Sequence, residues 1–245
     1  MTNRARMPQT AVLLAGGKGT RLKPFTMSIP KPLLPVGDVP IVEVVIRQLA
    51  DAGVERIVIT LGHLASLFTA SLGNGERFGV CIEYCREEVP LGTAGPLTLI
   101  ERLSDPVIVM NGDVLTTLDY RALVKAHVES GAAATIAVSR RNVFIDYGVV
   151  RADGLGRLVG FDEKPTLDYD VSMGVNVLSR DTCNLVPAGR KFDMPDLLQA
   201  IIAAGKTVHC FRSDCYWQDI GRFDDYQQAS ADFSADPDRF IPPSR

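Results

Sequence analysis

The residues in this sequence whose chemistry points to phosphate are a cluster of glycines, two cations and two aspartates. The segment Ala15-Gly16-Gly17-Lys18-Gly19-Thr20-Arg21-Leu22 directly follows the apolar run Ala11 to Leu14. In open α/β sheets, ligands bind at such carboxyl ends of strands. Glycines there let backbone amides approach a phosphate and allow positive φ. A dinucleotide fingerprint would need another glycine where Leu22 stands, and a Walker A loop would need Lys-Ser/Thr after its last glycine; neither is present. The loop ends instead in Arg21, whose guanidinium fork matches phosphate oxygens, and Pro30-Lys31-Pro32 follows. Lys31, fixed between prolines, loses less freedom on ordering than a lysine in a mobile loop. Taken alone, the segment could also be a sharp turn with two solvated cations.

The aspartates complete the pattern. Asp113 follows the apolar run Val107 to Met110 through Asn111-Gly112, at a sheet's carboxyl edge. Asp219 lies in Tyr216-Trp217-Gln218-Asp219-Ile220-Gly221. Mg²⁺ takes one or two carboxylates together with waters and substrate phosphates, so this pair is the candidate metal site. Asp119, Asp162 and Asp214 read as a helix start, a loop charge and a solvated carboxylate. His63, His127 and His209 fall outside these segments and are expected to be structural or solvent-facing.

The bulk composition limits the alternatives. A chain of 245 residues with 46% apolar content can bury one large core. A net charge of -3 and a pI near 5.7 give no field to gather nucleic acid or anionic lipid, so neither partner is expected. Anionic substrates must be held by a few placed cations. No apolar run is long enough to span a membrane. Five cysteines, an odd number without a regular framework, predict reduced thiols and a cytoplasmic setting. Cys81 and Cys85 lack a CxxC or a neighbouring histidine pair and are expected to be small buried apolar residues rather than zinc ligands.

These groups need a scaffold, and the hydrophobic pattern supplies one. Helical spacing predicts helices over Pro40 to Gly53, His63 to Leu72, Ala94 to Leu103 and Asp119 to Ser130. Strands are predicted at Ala11 to Leu14, Arg56 to Leu61, Val80 to Cys85, Pro106 to Met110 and Ala134 to Val138. Strand and helix in alternation imply a mainly parallel sheet with helices on both faces. Past residue 140 the rhythm changes. Tyr147 to Arg151 and Leu158 to Phe161 flank Asp153-Gly154 as a hairpin. Val171 to Leu178 and Val208 to Phe211 read as strands, Asp193 to Ala203 and Asp224 to Phe233 as helices. The expected organisation is a disordered lead-in over 1–9, one domain over 10–233 and a C-terminal tail over 234–245. Within the domain, residues 10–140 form a nucleotide-binding half and 141–233 a sugar-binding, β-rich half.

The stretch Leu14 to Pro35, LAGGKGTRLKPFTMSIPKPLLP, resembles the signature of the sugar-1-phosphate nucleotidyltransferases. Asn-Gly-Asp, Phe161-Asp162-Glu163-Lys164-Pro165 and Trp217-Gln218-Asp219 match further motifs of that family, over roughly residues 10 to 233. The resemblance implies a Rossmann-like, mostly parallel mixed sheet and transfer of a nucleotidyl group from an NTP to a sugar 1-phosphate. It gives catalytic roles to Arg21, Lys31 and Asp113, and Mg²⁺ to Asp113 and Asp219. Nucleotide contacts fall to Leu14, Ala15, Gly16, Gly17, Gly19, Thr20, Glu87, Pro90, Gly92, Thr93 and Gly112. Sugar-phosphate contacts fall to Asn111, Gly148, Glu163, Lys164 and Ser172, the serine standing where the family commonly has asparagine or threonine. No general base is needed, because a sugar 1-phosphate is already an anion. Members are commonly dimers or tetramers, so a homo-oligomer is expected.

Relatives that use uracil or thymine typically carry glutamine at the position of Glu87. A carboxylate only accepts, and guanine offers it two donors, N1–H and the 2-amino group. Glu87 and the string Gly92-Thr93-Ala94-Gly95-Pro96 therefore resemble guanylyltransferases of mannose or heptose 1-phosphate, and GTP is the favoured nucleotide. Cytosine, with its amino donor, is an alternative, as are the thymidylyl and uridylyl classes, and Glu87 or Glu88 could simply face solvent. A silent nucleotide-sugar sensor would be expected to lack Arg21 or a metal aspartate. A metal-dependent glycosyltransferase would show an Asp-x-Asp pair, which Asn111 and Leu115 deny to Asp113.

Overall fold

The computed structural model describes residues 7–17, 19–62 and 64–242. Lys18, His63 and the outermost residues of the expected lead-in and tail, 1–6 and 243–245, lie outside them. The first half of the chain runs β1 (Thr10–Leu14), β2 (Pro35–Val36), β3 (Val39–Pro40), α1 (Ile41–Ala52), β4 (Arg56–Leu61), α2 (Ala65–Leu72), β5 (Cys81–Arg86), β6 (Val107–Asn111), β7 (Val114–Thr116) and α3 (Tyr120–Ser130). The second half adds β8 (Ala134–Phe144), β9 (Val149–Ala152), β10 (Leu158–Asp162), β11 (Thr166–Leu178), α4 (Met194–Ala203), β12 (Val208–Arg212), β13 (Trp217–Asp219) and α5 (Phe223–Ala235).

Seven strands form one sheet in the order β12-β8-β11-β6-β1-β4-β5. All pair in parallel except β11, which opposes both β6 and β8. This is the mixed, mostly parallel sheet of a single domain that the alternation implies. β1 sits between β6 and β4 and is buried on both faces, which explains its unbroken apolar sequence. Along it, Ala11 and Leu13 point into a core beneath α1, α2 and α3, while Val12 points to the opposite core beneath α4. A third cluster joins Ile41 and Val44 of α1 to Ala229 and Phe233 of α5, with Leu22, Leu115 and Ile220 between them.

Helix ends follow their sequence signals. α1 stops at Gly53, whose φ is 106° and whose N–H reaches back to Leu49 and Ala50. Asp119 caps α3, its carboxylate accepting from the Ala122 amide at 3.0 Å. The helix expected over Ala94 to Leu103 is instead a short 3₁₀ turn, Gly95–Leu99. The amides of Ala94 and Gly95 both donate to the Phe192 carbonyl, and Thr98 Oγ1 takes the Gly95 carbonyl. The Thr98 hydroxyl competes there with the helical ladder for the Gly95 carbonyl. Cys81, expected to be buried, is exposed at the sheet edge, while Cys85 is half-buried.

β8 runs well past Val138 and pairs with β11 as far as Phe144 opposite Thr166. That long arm, with the β9–β10 hairpin, leaves Phe144, Tyr147, Leu155, Leu158, Val159 and Phe161 exposed. β7 and β13 form a separate antiparallel pair, Trp217 opposite Thr116 and Asp219 opposite Val114. Residues expected as lead-in and tail also touch the core. Met7 packs against the α1 face. Phe240 is 1% exposed, with its ring edge-on to Tyr216 at 5.0 Å, and the Gln48 amide donates to its carbonyl. Among the described residues, no helix is long and apolar enough to cross a membrane.

Phe240 therefore anchors the third cluster. Phe240→Ala is expected to cost about 3–5 kcal/mol by leaving a cavity beneath Tyr216 and Phe233. Denaturant unfolding checks this, and a loss under about 1 kcal/mol would show the segment to be peripheral.

Candidate active site

The carboxyl ends of β1, β4 and β6 meet at one place. The Ala15 amide donates to Thr60 at the end of β4, and the Gly112 amide donates to Leu14 at the end of β1. The glycine loop then turns at Gly19, whose φ is 58° and whose carbonyl accepts from Thr26 Oγ1 at 2.7 Å. A Cβ at Gly19 would stand 2.9 Å from Thr26 Cγ2, so both φ and space demand glycine. The next residues form a 3₁₀ turn, Thr20–Leu22. Leu22 is buried in the third cluster, which leaves the adjacent Arg21 exposed toward the cavity.

Lys31 is buried between its two prolines at 8% exposure. Its ammonium lies 2.5 Å from Asp113 Oδ2 and 3.9 Å from Asp219 Oδ1. The two aspartates, far apart in sequence, are neighbours because β7 begins one residue after Asp113 and its Val114 pairs with Asp219 of β13. Trp217 Nε1 donates to the Met173 carbonyl at 3.0 Å, tying β13 to β11. Burial pushes the Asp219 carboxyl up from its ordinary range. Lys31 pulls it down, Asp113 pushes it up again, and Arg21 opposes. A pair of close carboxylates with an all-oxygen donor set suits Mg²⁺, which completes its shell with waters and phosphates. Among the described residues, no group of three or more His, Cys, Asp or Glu forms a closed metal cage. Two carboxylates, one of them destabilised by burial and by the other, fit an ion of that kind.

Above this cluster opens a cavity of 380 Å³. Leu14, Ala15, Gly16, Gly17, Gly19, Thr20, Arg21, Lys31, Glu87, Pro90, Gly92, Thr93, Asn111 and Asp113 all line it. Gly112 stands behind the wall through its bond to Leu14. Glu87 leaves the end of β5 with its amide bonded to Leu61, and its Oε2 accepts from the Leu91 amide at 2.8 Å. Burial pushes the Glu87 carboxyl up, against that hydrogen bond. Glu88 is exposed.

The other sugar-side candidates lie outside this cavity. Gly148 sits against the Phe161 ring, Glu163 is exposed, and Lys164 pairs with Asp146 at 2.9 Å at a φ of 44°. Ser172 is exposed on β11, and its hydroxyl accepts from the Gly174 amide at 3.3 Å. Gly174 in turn packs on Asn111. A second cavity of 370 Å³ shares Arg21 and Gly221 with the first and also meets Asp219. It brings in Arg141, Arg222 and Asp225, with the Arg141 guanidinium 5.0 Å above the Trp217 ring. The sequence reading missed Thr60, Arg141, Lys191 and Arg222. Arg222 directly follows the segment Tyr216 to Gly221, whereas Thr60, Arg141 and Lys191 sit in no local motif and reach the site by topology.

Comparison with known proteins places the chain in a family. The family model described as Nucleotidyl transferase matches residues 10–236. A Synechocystis protein named UTP–glucose-1-phosphate uridylyltransferase is 34% identical over 239 residues, covering 89% of this chain and 62% of its own length. A Mycobacterium tuberculosis mannose-1-phosphate guanylyltransferase is 34% identical over 229 residues, covering 91% and 64%. The chain thus spans less than two thirds of the length of these relatives. The structure of HddC from Yersinia pseudotuberculosis complexed with GMP-PN superposes with a TM-score of 0.71 at 26% identity, covering 92% of this chain and 99% of that one. A Bacillus anthracis structure in complex with sucrose, 24% identical with a TM-score of 0.72, shares the fold over 91% and 94% of the two chains.

The strained Glu87 carboxyl gives a prediction for the ligand-free protein. A carboxyl with a raised folded-state pKa favours folding below its unfolded pKa and loses that contribution as pH rises through the folded value. Glu87→Gln keeps an acceptor for Leu91 and removes the buried charge, so it is expected to raise Tm at pH 7. The gain should shrink as pH falls toward the ordinary carboxyl range. A Tm difference unchanged by pH, or of opposite sign, would contradict the burial argument.

Proposed function

Because the chain belongs to the nucleotidyl transferase family, we propose that it couples a sugar 1-phosphate to a nucleoside triphosphate, releasing pyrophosphate and forming a nucleotide sugar. The observation that carries this reading is the Lys31 ammonium set against Asp113 and Asp219, with Lys31 and Asp113 lining one cavity together with the glycine loop and Arg21.

The chemistry asks little of proton transfer. An oxygen of the sugar phosphate attacks the α-phosphorus, the bond to the bridging oxygen of the β-phosphate breaks, and pyrophosphate departs with the electron pair. The nucleophile is already anionic, so catalysis consists of holding the reactants in line and neutralising charge. Glycine-loop amides cradle the triphosphate, Arg21 meets oxygens of the departing pyrophosphate, and Lys31 meets the α-phosphate. Asp113 and Asp219 would hold Mg²⁺, which supplies further neutralisation of the phosphate oxygens when bound. Asn111, Gly148, Glu163, Lys164 and Ser172 are assigned to the sugar 1-phosphate.

We favour GTP as the nucleotide because Glu87 presents a carboxylate within the nucleotide cavity, where guanine supplies two adjacent donors. The sugar is of mannose, heptose or hexosamine type, following the relatives named for guanylyl transfer to mannose 1-phosphate.

The test is pyrophosphate release with Mg²⁺ across a matrix of NTPs and hexose and heptose 1-phosphates. Turnover with GTP is expected. Turnover confined to UTP or dTTP would overturn the base assignment and keep the reaction. Silence across the matrix with nucleotide sugars still bound would make the protein a sensor. Arg21→Ala is expected to lower kcat by about 10²–10³-fold, the usual scale for one lost charge-stabilising donor, and undiminished turnover would remove Arg21 from the mechanism.

A further inference from the structure

The nucleotide cavity has a cation that neither the glycine loop nor the metal cluster accounts for. Lys191, from the segment just before α4, lines the same wall as Glu87, Pro90, Gly92 and Thr93. It belongs to a loop stapled onto that wall. The Phe192 amide donates to Leu91 at 2.8 Å, and the Ala94 and Gly95 amides both donate to Phe192 at 2.9 Å. Asp193 Oδ1 accepts from the Thr93 amide at 3.0 Å, and Thr93 Oγ1 accepts from the Met194 amide at 2.6 Å. Asp193 Oδ1 lies so close to Gly92 that a Cβ there, at φ 82°, would sit 2.5 Å from it. This staple fixes the backbone on which Lys191 stands, and Asp193 Oδ2 holds its ammonium at 3.4 Å.

The wall therefore offers an acceptor and a donor together: the Glu87 carboxylate, steadied by Leu91, and the Lys191 ammonium, steadied by Asp193. We infer that Lys191 and Glu87 act as a couple that reads a keto–imino base edge, a carbonyl beside a ring N–H, with Lys191 donating to the carbonyl and Glu87 accepting from the N–H. This inference rests on the proposed nucleotidyl transfer for its physiological setting. Guanine presents O6 beside N1–H, and uracil and thymine present O4 beside N3–H. Adenine and cytosine present an amino group beside a bare ring nitrogen. They would set donor against ammonium and lone pair against carboxylate, leaving both protein charges without a partner on the base. Guanine alone adds a 2-amino donor for the second carboxylate oxygen. Lys191 supplies the donor that a carboxylate by itself lacks, so the wall accepts keto bases as a class and ranks guanine first within it.

The test measures dissociation constants by calorimetry for GTP, ITP, UTP, ATP and CTP, without sugar phosphate, on the full chain and on Lys191→Met and Lys191→Arg. The unsubstituted chain is expected to bind GTP, ITP and UTP more tightly than ATP and CTP. Lys191→Met should weaken the keto nucleotides by about 10- to 100-fold, the scale of one hydrogen bond from a charged donor, and leave ATP and CTP within about threefold. Lys191→Arg should restore part of the difference. Lys191 is 70% exposed at its side chain, so these variants should fold. An unsubstituted chain that prefers ATP or CTP, or a Lys191→Met protein with the same discrimination, would overturn the inference. Turnover assayed in parallel separates the two readings: keto-selective binding without pyrophosphate release would sink the activity and keep the base-reading couple.

Discussion

The site depends on one electrostatic constraint: two carboxylates are brought together in a partly buried place, and Lys31 stands against both. Burial raises the cost of ionising Asp219, and the neighbouring Asp113 adds to it. The Lys31 ammonium offsets that cost, and the prolines on either side keep it from swinging to solvent. A cluster of this kind favours specificity of arrangement over raw stability, since removing one member leaves uncompensated charge behind.

Much of the fold serves to hold that cluster in register. Leu14 and Asn111 end side by side on β1 and β6, so the glycine loop and Asp113 start from a common line. The β7–β13 pairing delivers Asp219 next to Val114. Trp217 binds that pair to β11 through Met173, while Leu22 and Ile220 sink into the core beneath α5. Arg21 and Asp219 are thus each attached to a buried apolar neighbour, Leu22 and Ile220, which fixes the charged groups at the site. Burial of hydrophobic side chains here sets the geometry, and the polar groups follow from it.

Legibility from the sequence tracks how local each cause is. The strand-to-loop passage at Leu14, the cap at Asp119 and the stop at Gly53 are written within a few residues, and each element forms where its pattern lies. Gly16, Gly17, Gly19 and Thr20 share one cavity with Glu87, Pro90, Gly92 and Thr93 because the two segments follow β1 and β5, the parallel strands on either side of β4. Ala94 to Leu103 reads as a helix, but only the 3₁₀ turn Gly95–Leu99 forms, its start docked on the Phe192 carbonyl nearly a hundred residues away. β7 and β13 are too short to announce themselves, and Lys191 and Arg141 reach the site by topology alone. The Glu163-Lys164 pair shows the reverse: a motif plain in sequence whose side chains are both exposed, with Lys164 turned to a local partner, Asp146.

The central claim is that Lys31 and Asp113 act as one unit in pyrophosphate release. A double-mutant cycle with Lys31→Met, Asp113→Asn and both together tests it most directly, read as kcat in the forward reaction. Residues that work as a unit are strongly non-additive, so the double variant should be little slower than the worse single one. Losses that multiply across the two substitutions would show two independent contributions and contradict the account.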